Sequence, residues 1–71
     1  MNFHAGDQFT DPNTDEVFLI QEKEEIIVYP FKSSPFTIYA YFLQGNHGNE
    51  HELNHCELVD LIINDKLIEE L

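Results

Sequence analysis

Apolar and aromatic side chains gather in one stretch of the chain, Ile26 to Leu43, and polar residues dominate on either side of it. Both halves of the stretch are rich in β-branched and aromatic residues. Lys32-Ser33-Ser34-Pro35 separates them with loop chemistry, which predicts two adjacent antiparallel strands. In the second strand Phe36, Ile38, Ala40 and Phe42 alternate with Thr37, Tyr39, Tyr41 and Leu43. Neither set is polar. A strand with two apolar faces belongs inside a sheet that a helix covers on one side and a second layer or a partner copy covers on the other.

The pattern before this centre predicts shorter elements. Residues 1–5 read as a disordered lead-in, and Gly6 to Thr10 as a short first strand after a turn. Asp11-Pro12-Asn13-Thr14-Asp15 reads as a turn, because proline presets the second turn position and Asp11 is placed to hydrogen-bond the backbone. Glu16 to Gln21 then alternates as a strand, Glu22-Lys23-Glu24-Glu25 reads as a hairpin turn, and Ile26 to Tyr29 forms the next strand, which Pro30 ends.

After Leu43 the composition of residues 44–53 predicts a loop. The period then changes to that of a helix. Asn54 is a good N-cap, Glu57 completes a capping box with it, and Leu53 and Leu58 flank the cap as a hydrophobic staple. A helix is expected from His55 to about residue 70, with Leu58, Leu61, Ile62 and Ile68 facing the sheet. Asn64-Asp65 is the candidate break, after which 66–71 would be a further turn or a closing strand. The expected fold is α+β: one domain over residues 1–71, with a three- to four-stranded antiparallel meander over about 8–43 packed by one C-terminal helix.

Composition adds that this chain folds. A hydrophobic fraction of 42% with nine aromatics in 71 residues is too rich for a disordered acidic tail. A chain this short has a thin core, which a second copy would extend. The single Cys56 leaves no internal disulfide, and no apolar run is long enough to span a membrane, so a cytoplasmic protein is expected.

Charge changes the picture most. Fourteen carboxylates face three lysines and no arginine, for a formal net charge of -11. Seven acids precede Ile26, seven follow Asn49, and none lies between. Such a coat opposes direct binding to nucleic acid or anionic lipid, and it favours basic partners. It also keeps a small apolar domain soluble.

One catalytic pattern is present. His51-Glu52-Leu53-Asn54-His55 matches H-E-x-x-H, in which two histidines one helical turn apart bind zinc. The capping signals start the helix at His55 and leave His51 outside it, so His51 and His55 are weak metal candidates. A looser set of His47, His51, His55 and Cys56 is interrupted by glycines. No nucleophile has a visible base, no phosphate loop is present, and Tyr29, Tyr39 and Tyr41 lack interleaved basic residues. The expectation is therefore a protein that is no enzyme and needs no cofactor.

The acids fall into three clusters: Glu22, Glu24 and Glu25 at the expected hairpin tip, Glu57 and Asp60 along one helix face, and Asp11, Asp15 and Glu16 in the first turn. Carboxylates at such density can occupy the cationic groove of a DNA-binding protein. A two-fold dimer through Tyr39, Tyr41 and Leu43 would double each cluster. In this layout, with Glu69 and Glu70 completing the coat around the Ile26 to Leu43 centre, the chain resembles the small acidic phage-encoded proteins that mimic DNA. It is most similar in size and arrangement to a dimeric Bacillus-phage inhibitor of the histone-like protein HU. The resemblance implies a host-takeover inhibitor that binds the basic surface of a host DNA-binding protein such as HU, in the bacterial cytoplasm and at the nucleoid. Two alternatives stand beside it: an interaction module using the aromatic sheet face, and a small zinc-binding protein of the H-E-x-x-H type.

Overall fold

The apolar centre forms parts of the two longest strands in the computed structural model, which describes residues 1–70. In chain order the elements are β1 (Gln8–Thr10), β2 (Val17–Val28), β3 (Phe36–Gly45), β4 (Glu50–Asn54), α1 (His55–Ile63) and β5 (Ile68–Glu70). The strands make one five-stranded antiparallel sheet in the order β4-β3-β2-β1-β5. The α+β class and the single helix on the sheet agree with the sequence pattern. The sheet has more strands than the three or four expected.

The largest difference is in β2. The run Glu22-Lys23-Glu24-Glu25 is no hairpin turn: it continues the strand and pairs residue by residue with Phe42, Tyr41, Ala40 and Tyr39. Its polarity reflects two solvated faces rather than a change of direction. The reversal lies at Tyr29–Pro35, where Lys32 takes the left-handed conformation, φ 63°. The expected Lys32–Pro35 loop therefore holds.

A register shift between Ile20 and Glu22 places a β-bulge at Gln21. Phe18 and Ile20 pair with Gly45 and Leu43 on the core face. Beyond the bulge, Glu22 and Glu24 turn to the opposite face, and Lys23 and Glu25 turn toward the core side. One extra residue exchanges the faces of everything that follows it.

Residues 44–53 are not wholly a loop. Glu50–Asn54 pairs with Ala40–Gln44 as an edge strand, where polar side chains are tolerated. The helix starts at His55 as expected. Asn54 Oδ1 accepts from the Glu57 N–H at 2.8 Å, and Glu57 Oε1 accepts from the Asn54 N–H at 3.0 Å. It ends at Ile63, with Asn64 as its C-cap, rather than near residue 70. Asp65 is left-handed, φ 55°, and the chain closes the sheet as β5. Leu71, the end of that expected closing segment, lies outside the described residues.

Phe3, Phe9, Phe18, Ile20, Tyr41, Leu43, Leu58 and Leu67 form the buried core between the sheet and α1. Phe3 belongs to the expected disordered lead-in, yet it is buried edge-on to Phe9 and Tyr41, at centroid distances of 5.7 and 5.5 Å. The Asp7 carboxylate holds this segment by accepting from the His4 N–H at 2.8 Å. The core fills only one end of a molecule measuring 45 × 22 × 20 Å.

Candidate binding face

The face of the sheet turned away from α1 has no second layer among the described residues. Its register sets three cross-strand rows: Leu19, Gln44 and Glu50; Glu22, Phe42 and Glu52; and Glu24, Ala40 and Asn54. Two files of carboxylates result, Glu22 and Glu24 on β2 and Glu50 and Glu52 on β4, with β3 between them. Strand geometry spaces the acids about 7 Å apart within a file and sets the files about 10 Å apart. Glu22, Glu24 and Glu52 line a concavity of about 240 Å³ together with β3 residues Ala40, Tyr41 and Phe42.

Among the described residues no lysine stands beside these carboxylates on the face. The nearest lysine in sequence, Lys23, points to the other side, where its Nζ lies 4.6 Å from the Tyr39 ring centroid and 5.9 Å from that of Tyr41. Strand alternation separates Lys23 from Glu22 and Glu24, and the bulge at Gln21 sets which face of the sheet each of them takes. Alternation also puts Glu25 on the side of Tyr39, away from Glu22 and Glu24, so the expected cluster of three is a pair.

Sequence reasoning missed Glu50 and Glu52, both in a predicted loop and Glu52 also inside a catalytic pattern. The signal that would have found them is the alternation Glu50-His51-Glu52-Leu53, a period of two.

The other expected acids are dispersed or engaged. Glu57 closes the capping box, and with Asp60 it shares a concavity that Lys66 also lines. The Asp11 carboxylate accepts from the Asn13 N–H at 2.8 Å, an Asx turn rather than a free charge. Asp15 is exposed in a left-handed conformation, φ 60°.

Glu16 is a correction to the expected site. It is buried beside Gly45, and its carboxylate accepts from the His47 and Asn49 N–H groups at 3.1 and 3.3 Å and from Asn49 Nδ2 at 2.6 Å. Burial raises its pKa, but these hydrogen bonds and the nearby His47 outweigh burial and hold the carboxyl below its ordinary value. Glu16 therefore holds the β3–β4 turn and is not offered to a partner.

The expected dimer surface is corrected as well. Tyr41 and Leu43 are buried within one chain under Phe3 and Leu58, and Tyr39 packs against the same cluster, so this face is already covered. Burial pushes the Tyr41 phenol's pKa up, with a smaller contribution from Tyr39, and its hydroxyl shares a 3.1 Å hydrogen bond with His55 Nδ1.

The H-E-x-x-H residues do not converge. His51 lies in β4 against Phe18, at a centroid distance of 5.0 Å, and His55 opens α1 against Phe3 at 5.4 Å. Four residues of largely extended chain set them about 13 Å apart, against about 6 Å on a helix. Among the described residues no group of three or more His, Cys, Asp or Glu side chains is placed to hold a metal ion. Among the same residues no helix is long and apolar enough to cross a membrane.

No family model, curated protein or solved structure matches the chain.

Proposed function

We propose that this protein is an acidic DNA mimic that occupies the basic DNA-binding surface of a host protein, with HU as the type of target. The observation that supports the reading is the paired files Glu22/Glu24 and Glu50/Glu52 on an uncovered sheet face that carries no lysine. Their separation of about 10 Å falls between the roughly 6 Å and 12 Å widths of the DNA minor and major grooves. A groove built to grip two phosphate strands meets two carboxylate strands instead. The sheet holds these charges without the ordering cost of a flexible acidic tail. The protein needs no cofactor for this, and acting on such a target places it in the host cytoplasm, at the nucleoid.

The test is competition between this protein and duplex DNA for purified HU. The wild type is expected to displace DNA, with an affinity that falls steeply as salt rises. Exposed ion pairs contribute about 0.2–1 kcal/mol each, so changing Glu22, Glu24, Glu50 and Glu52 together to Gln weakens binding by about fourfold to several hundredfold. Asp15→Asn, in the distant turn, leaves binding near the wild-type value. Equal binding by the wild type and the fourfold variant would sink the reading.

A further inference from the structure

The β2–β3 hairpin runs on past the core. β1 reaches only Val17–Leu19 of β2, and β4 only Ala40–Gln44 of β3, so from Ile26 and Ile38 outward the hairpin has no strand beside it. An isolated two-stranded hairpin is marginal in water. This one is also apolar: Ile26, Ile27, Phe36 and Ile38 are 40, 56, 51 and 39% exposed, and Tyr29 and Phe31 near its tip are 75 and 89% exposed. At roughly 150–250 Å² per aromatic side chain, the three aromatics with Ile26 and Ile38 leave on the order of 500 Å² bare, Ile27 lying with Thr37 on the opposite face. Each partner in a standard protein interface contributes about 800 Å².

We propose that this hairpin is the contact surface of a two-fold homodimer. The paired rows Ile26–Ile38 and Val28–Phe36 of one copy pack against the same rows of the other. Charge selects the occupant. The chain has no acid between Ile26 and Asn49, and Lys32 is the one ion on the hairpin, so a basic partner is drawn to the body of the molecule rather than to the hairpin. A second copy docking on the body would press one net charge of -11 against another. Docking through the hairpin buries apolar surface and leaves the two acidic bodies at opposite ends of an elongated pair.

This inference stands apart from the DNA-mimic reading, and salt separates the two. Screening weakens attachment to a basic target, whereas it relieves repulsion between two acidic copies and tightens an apolar dimer. Sedimentation velocity over a wide range of protein concentration, in salt from about 0.01 M to about 1 M, is the measurement. The expected species has twice the 8.3 kDa chain mass and is favoured by salt.

Ile26→Ser with Ile38→Ser should raise the dimer dissociation constant at least about tenfold, as for central apolar anchors. Ile63→Ser, on the exposed side of α1, should leave it unchanged. If the double variant does not fold, Tyr29→Ser with Phe31→Ser tests the same surface at the tip. Hydrogen exchange in the wild type, which should slow in the hairpin as concentration rises, gives a readout free of mutation. A wild type of 8.3 kDa under every condition, or a dimer that survives both hairpin variants, overturns the proposal.

Discussion

Glu16 shows how one side chain can be misjudged by type and explained by place. It was expected among the partner-binding acids because carboxylates are normally solvated. In the fold its carboxylate lies beside Gly45, where any Cβ would collide with it, and it collects the free N–H groups of the β3–β4 turn. Nothing local in the sequence announces this, because its partners lie about thirty positions away. The pH dependence follows from its lowered pKa. The folded form holds the charged carboxylate better than the unfolded chain does, so its stabilisation is complete above the unfolded value of about 4.3 and is lost as pH falls through the lower folded value. Acid also relieves the repulsion within the coat, an effect of opposite sign. The difference between wild type and Glu16→Gln isolates the single group: thermal melts should show the variant less stable at neutral pH, with the gap closing below about pH 4. A constant gap from neutral to acid pH would show that Glu16 acts by shape and not by charge.

At the scale of elements, legibility followed how local the determining physics is. The start of α1 was readable because a capping box needs only Asn54 and Glu57, and the structure forms both of its hydrogen bonds. A nine-residue helix is too short to persist alone, so its cap and Leu58, its one fully buried side chain, bear directly on its stability. Asn54→Ala should therefore cost about 1 kcal/mol, lowering the melting temperature by about 4–8 °C for a domain of this size. Unchanged melting would mean that the packing of Leu58 holds the helix without its cap. The strands were less legible. Whether Glu22–Glu25 turns or continues depends on β3 lying alongside, where their partners are Phe42, Tyr41, Ala40 and Tyr39, 14 to 20 positions on. The bulge at Gln21 has the same origin, and it alone decides which face carries Glu22 and Glu24 and which carries Lys23. β4 was hidden because an edge strand need not be apolar.

The whole molecule is divided along its 45 Å length into an acidic body, which holds the core, and an acid-free apolar hairpin bearing Lys32 near its tip. The sequence displays this division as an acid-free stretch between two acidic flanks, which would form a continuous coat if both folded over the apolar centre. They do not, because the hairpin extends past the elements that carry the acids. All fourteen carboxylates therefore share the shorter body, and their mutual repulsion is a property of the folded state that salt should reveal. At about 0.01 M salt the Debye length is about 30 Å, longer than the 22 and 20 Å cross-sections of the molecule, so acids on opposite sides of the body feel one another. At about 1 M it is about 3 Å and only neighbours interact. Melting temperature should accordingly rise through this range in chloride, a salt chosen because it strengthens apolar burial less than sulfate does. Repeating the series with the Ile26→Ser, Ile38→Ser variant removes the contribution of dimerisation, leaving repulsion within one chain. A rise that persists in this variant places the strain in the acidic body, where a basic partner that neutralises the coat would stabilise the fold as it binds. A melting temperature indifferent to salt would mean that the acids are too far apart to strain the fold, and the coat would lose that means of rewarding a partner.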